Sequence, residues 1–167
     1  MAYRIAYCKV NYPLAYYAAF FTIRATAFDY ELMCQGKEHL EKHLKLYNSN
    51  PNPTAKEKDT IRDMKIVQEF YARGFDFLPI DLYQSEAVKF TIVGDKLLPP
   101  FSSIDGMGGI AAEALYLAAK GAPFLSKDDI AQRAKVSRST LDVMGELGLL
   151  GDLPESNQLS IFDLKIG

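Results

Sequence analysis

Two short runs in this 167-residue sequence hold residue types at a spacing that can do chemistry on a partner. The first is Phe101-Ser102-Ser103-Ile104-Asp105-Gly106-Met107-Gly108-Gly109-Ile110-Ala111-Ala112. Phe101 and Ile104 close a short helix in this reading, Gly106, Met107 and Gly108 make a tight turn, and Ala112 begins the packing face of a second helix. Glycine takes positive φ without strain and lets a phosphate approach the backbone. The N–H groups that open the second helix lack helical acceptors and point where phosphate oxygens would sit. The second run is Gln158-Leu159-Ser160-Ile161-Phe162, three apolar side chains and an amide in a polar, turn-rich tail. Exposed Leu, Ile and Phe must either fold back into the core or dock into another protein.

The glycine run has the helix–hairpin–helix pattern of sequence-independent DNA binding, which positions a protein on phosphates without reading bases. A dinucleotide loop is excluded, because the glycine spacing is wrong and Pro99-Pro100 stands where the feeding strand should be. A second helical pair follows. Ser126 caps a helix through Ala134 and Ser137 caps the next through Leu147, with Lys127, Arg133, Lys135 and Arg138 around the turn. These cations suit duplex phosphates, and Lys127, Lys135 and Arg138 join Gly106, Met107, Gly108 and Gly109 as candidate DNA contacts. The segment 126–141 also resembles the helix-turn-helix of bacterial repressors, in which the second helix enters a major groove. A purely structural pair is the third reading.

Other reactive residues carry less. His39 and His43 sit i, i+4, but Leu40 stands where a metal protease needs Glu, and no third ligand follows. A solvated helix face is expected there. Cys8 and Cys34 have no ligand pattern and suit a reducing compartment. Asp105, in a turn, and Asp128 and Asp129, in a helix cap, are not metal ligands in this reading.

These runs must be positioned by a largely helical scaffold. The 19 basic and 21 acidic residues leave a net charge of −2, so a broad basic field is not what would hold nucleic acid. Apolar residues at 49% supply a core. Ala2–Val10 reads as a helix, interrupted before Pro13. Leu14–Arg24 reads as a second, apolar almost all round and therefore buried. Arg4, Lys9 and this stretch imitate a secretion signal, but Tyr16, Tyr17 and Thr22 spoil it, and it is short of the ~20 residues needed to cross a bilayer. So apolar a helix at an abrupt start suggests a piece of something larger. Asp29 caps a third helix to Tyr47, with a break at Gly36. Residues 48–53 form a loop, Thr54 and Glu57 a capping box, and Gly74 a stop. Phe75–Ile80 is extended. Val88, Phe90 and Ile92 alternate with Lys89 and Thr91 into a hairpin around Gly94-Asp95.

Taken together, Arg4–Leu14, Tyr16–Arg24, Ile80–Ser85, Leu98–Ile104 and Gly151–Phe162 resemble the PolC-type replicative DNA polymerase III alpha subunit of bacteria, over nearly the whole chain. Residues 48–53 and those after Phe162 match poorly. The resemblance implies a mainly α fold: fingers helices over 1–80, a short β-hairpin and a helix–hairpin–helix duplex-binding region over 81–150, and an extended tail over 151–167. Gln158, Leu159, Ser160, Ile161 and Phe162 resemble the bacterial sliding-clamp-binding pentapeptide, with Ile161 in place of the usual Leu. The implied partners are double-stranded DNA, the β sliding clamp and the remainder of the polymerase, in the bacterial cytoplasm at the replication fork, with no membrane. The family's catalytic carboxylates and their Mg belong to a palm domain upstream. No catalytic or metal residue and no cofactor is therefore expected in these residues, although the parent is a nucleotidyltransferase. The alternative is a small helix-turn-helix regulator.

Overall fold

The computed structural model describes residues 2–156, which form eight α-helices and one two-stranded sheet. Helix α1 (Ala2–Asn11) ends at Tyr12, and Pro13 opens α2 (Pro13–Ile23), where its missing N–H needs no partner. The expected burial of α2 all round is corrected. Only Tyr17, Ala18 and Phe21 are buried, and Ile23 is exposed, because no described element covers the outer face. Asp29 caps α3 (Tyr30–Met33) by accepting the Leu32 amide at 3.0 Å. Gly36, at φ +98°, breaks the chain into α4 (Lys37–Asn48). The Thr54–Glu57 box opens α5 (Ala55–Ala72): the Glu57 amide donates to Thr54 Oγ1 at 3.2 Å and the Thr54 amide to Glu57 Oε2 at 2.7 Å. Gly74, at φ +85°, ends it.

Strands β1 (Thr91–Val93) and β2 (Lys96–Leu98) pair antiparallel, Thr91 opposite Leu98, around Gly94. The alternation read over Val88–Ile92 is corrected: Phe90 is buried, but Val88 and Ile92 are 47% and 46% exposed. The cause is pairing on the other side. The Leu78 amide donates to Leu97 O at 2.8 Å and the Leu97 amide to Asp76 O at 3.1 Å. β2 is thus the inner strand, carrying buried Leu97 and Leu98, and β1 is a solvent-facing edge. A single 3-10 turn, Phe101–Ser103, precedes α6 (Gly109–Gly121), α7 (Lys127–Ala134) and α8 (Arg138–Glu146).

Apolar residues gather in two cores. One joins α2, α4 and α5 around stacked aromatics, with Phe70 and Phe77 ring centroids 4.6 Å apart. The other joins α6, α7 and α8 around Phe101, Leu115, Ile130, Leu141 and Met144. The border does not follow the chain. Tyr30 of α3 belongs to the second core, Phe90 and Leu97 belong to the first, and Cys34 packs against both. The two cores therefore hold the hairpins of the C-terminal half on a fixed base.

Candidate nucleic-acid interface

Gly106 stands at φ +77°, a left-handed conformation that a side chain resists. It reverses the chain so that buried Met107, whose amide donates to Ile104 O at 3.0 Å, pins the turn to the core. Gly108 then caps α6 with φ −70° and ψ 160°, and no side chain bonds the helix start. The amides of Gly109, Ile110 and Ala111 lie in that first turn, with no carbonyl one turn back to accept them. Among the described residues none of the three finds a protein acceptor. Ile110 beside them is 91% exposed.

Gly108 and Gly109 are the informative pair. Neither has positive φ, and a Cβ on either would meet nothing within 4 Å. Nothing inside the fold demands glycine there. Gly106 differs: its φ requires glycine, and a Cβ would lie 3.4 Å from Thr140 Oγ1. That contact brings the first turn of α8 against the glycine turn. A cleft lined by Gly106, Met107 and Gly108 also takes in Asp29, Lys56, Thr60 and Asp105, and burial pushes the Asp29 carboxyl above its ordinary range.

The second pair repeats the first. Gly106, Met107, Gly108, Ala112 and Leu115 correspond to Lys135, Val136, Ser137, Leu141 and Met144, each 29 positions on. Lys135 is left-handed at φ 52°, Val136 is buried like Met107, and Ser137 has φ −67° and ψ 152°. The ends are occupied, however. Ser137 Oγ accepts the Thr140 amide at 3.2 Å. Arg138 donates to Asp128 Oδ1 at 2.8 Å and Glu155 Oε2 at 3.0 Å, and Lys127 pairs with Glu155. The hydrogen bond from Lys127 holds the Glu155 carboxyl below its ordinary range. Of the three basic candidates only Lys135 is without a carboxylate partner among the described residues.

Arg133, singled out only as one of the cations around the turn, does structural work. It donates to Ala118 O at 2.6 Å, Ala122 O at 2.9 Å and Pro123 O at 3.3 Å, and lies 4.7 Å over the Phe124 ring. It satisfies the end of α6, where carbonyls lack helical donors. The histidine pair is corrected. His43 Nδ1 lies 3.0 Å from His39 O, the rings are 4.3 Å apart, and His39 Nε2 is buried without a partner, so this face is not simply solvated. Among the described residues no three His, Cys, Asp or Glu gather as a metal site would need, and no helix is long and apolar enough to cross a membrane. Gln158, Leu159, Ser160, Ile161 and Phe162 lie outside the described residues.

A pair of turns of this kind, each leading into a helix, defines a helix–hairpin–helix protein. The family model described as "Helix-hairpin-helix motif" matches residues 74–159, and the chain belongs to that family. Its relatives are more particular. The chain is 41% identical over 162 residues to "DNA polymerase III PolC-type" of Thermotoga maritima, 44% over 163 residues to that of Listeria welshimeri, and 45% over 165 residues to that of Staphylococcus epidermidis. These alignments cover 97–98% of this chain and 11–12% of each relative. The chain thus resembles a segment of about one-eighth of a PolC-type DNA polymerase III.

Proposed function

We propose that this chain is the part of a PolC-type DNA-directed DNA polymerase that holds duplex DNA by its phosphates and tethers the enzyme to the sliding clamp. The single observation carrying the duplex reading is the unbonded first turn of α6, opened by two glycines that the fold itself does not require. Phosphate oxygens satisfy those amides, and the absence of Cβ atoms at Gly108 and Gly109 lets the phosphate reach them. Such contacts need little net charge, in keeping with −2 for the chain. Lys135 adds a cation beside the second turn. Gln158, Leu159, Ile161 and Phe162 supply the clamp contact: the amide bonds a rim and the apolar side chains fill pockets. Two weak grips on one duplex raise overall avidity through effective concentration. Nucleotidyl transfer and its Mg belong to residues of the parent outside this chain, and the setting is the bacterial replication fork. The helix-turn-helix regulator draws no support from relatives that are polymerases.

Gly109→Leu tests the duplex reading. Position 109 is helical and open, so the fold tolerates leucine and gains helix propensity of up to about 1 kcal/mol. Random-sequence duplex binding should fall by about tenfold, a loss of ~1.4 kcal/mol. Unchanged binding in a folded variant removes the hairpin from the account. For the tail, Leu159→Ala with Phe162→Ala should abolish capture by immobilised β clamp, and undiminished capture counts against it.

A further inference from the structure

The chain does not leave the globule where its composition turns polar. Leu153 packs on the second core, the Lys127 amide donates to Pro154 O at 2.9 Å, and the Asp128 amide donates to Glu155 O at 3.0 Å. The segment Gly151–Glu155 is strapped across the start of α7. Its last carboxylate reaches further: Glu155 Oε1 pairs with Lys127 and Glu155 Oε2 with Arg138, on the first turn of α8. Arg138 and Lys127 are two of the three cations that the sequence offers to DNA. The anion that bridges them is carried by the chain itself, with one oxygen on each cation, as two phosphate oxygens would be, while Asp128 Oδ1 accepts from the other arm of Arg138 at 2.8 Å.

We propose that residues Gly151–Glu155 are an autoinhibitory strap: the Glu155 carboxylate occupies the place of a duplex phosphate between Lys127 and Arg138, and duplex binding at the second hairpin displaces it. The inference rests on the duplex reading above. The contact is suited to exchange. Arg138 and Glu155 side chains are 60% and 62% exposed, and an exposed ion pair contributes little and is screened by salt. A polyanion that releases counterions on binding competes well against a single carboxylate.

The test is a salt series of random-duplex binding by the full 167-residue chain and variants. Glu155→Gln leaves the Pro154 and Glu155 main-chain bonds and the Leu153 contact in place. Binding should tighten by roughly threefold or more, with a salt slope steeper by less than about 1.8, since Lys127 is freed outright while Asp128 still pairs one arm of Arg138. Glu41→Gln, the same charge change on α4, controls for net charge and should tighten binding less. Arg138→Ala should leave wild-type affinity nearly unchanged yet cancel the gain of Glu155→Gln. The strap is overturned if Glu155→Gln gains no more than Glu41→Gln, or if it weakens binding. It is equally overturned if Arg138→Ala alone costs as much as it does beside Glu155→Gln, a comparison that holds even should the Glu155→Gln substitution perturb the fold. Wild-type protein that fails to bind duplex at all sinks the duplex reading and the strap together. Wild-type binding without a gain on Glu155→Gln sinks the strap only.

Discussion

The turns at Gly106-Met107-Gly108 and Lys135-Val136-Ser137 share a backbone and differ in what meets their open ends. Both reverse through a left-handed residue, bury the next side chain and enter a helix with nearly equal φ and ψ. At the first turn the entering amides are bare and flanked by glycines. At the second, Ser137 supplies an oxygen, and Asp128 and Glu155 neutralise Arg138. One geometry therefore meets two environments: a turn whose donors and cations are satisfied within the chain, and one whose first-turn amides have no protein acceptor among the described residues. The pattern fits the general observation that sites are where local rules are broken.

Four substitutions sharpen or break this contrast. The largest effect is expected at the joint between the hairpins. Arg133→Ala leaves the Ala122 and Pro123 carbonyls without their guanidinium donor and takes the shorter of two donors from Ala118 O, and should cost about 2–3 kcal/mol in denaturant unfolding. A loss under about 0.5 kcal/mol would mean that water replaces it and that the second pair does not brace the first. Ser137→Ala should cost ~1 kcal/mol, as N-cap removal does, with duplex binding little changed. A binding loss without a stability loss would make Ser137 a DNA ligand and erase the distinction. Lys135→Gly should relieve the left-handed strain and add up to ~1 kcal/mol while weakening duplex binding by the loss of one cation. Binding unchanged at low salt removes Lys135 from the interface. The smallest effect belongs to Gly108→Ser, which gives the first hairpin the cap of the second. Stability should rise by a few tenths of a kcal/mol and duplex affinity should fall, because the hydroxyl competes for the amides that phosphate needs. A simultaneous rise in both would contradict the trade.

What the sequence made legible was local. Glycines at 36, 74 and 94, the Thr54–Glu57 box, and the Ser126 and Ser137 caps announce their turns because the signal lies within four residues. The glycine run 106–109 was readable for the same reason. Hidden features were those made by residues far apart in the chain. The Arg133 guanidinium closes a helix that ends 12 residues earlier at Gly121, and charge alone suggests a surface cation. Glu155 belongs to a stretch whose Gly, Asp, Pro and Ser spell a departing loop, and only its bonds to Lys127 and Arg138 reveal a strap. The 29-residue repeat was invisible because its two copies share burial and φ but almost no residue types: Met107 matches Val136 and Gly106 matches Lys135. The edge position of β1 depended on the pairing of β2 with residues 76–78, which no alternation in Val88–Ile92 encodes.

The central claim is that phosphate is held by main-chain hydrogens at the start of α6. At 18.7 kDa the chain suits amide-resolved NMR, so titration with a short random-sequence duplex reads those hydrogens one by one. The largest shifts should fall on Gly109, Ile110 and Ala111, with smaller ones near Lys135 and on the Lys127 and Asp128 amides as the strap lets go. Shifts that leave residues 109–111 untouched, while α8 moves alone, would contradict it.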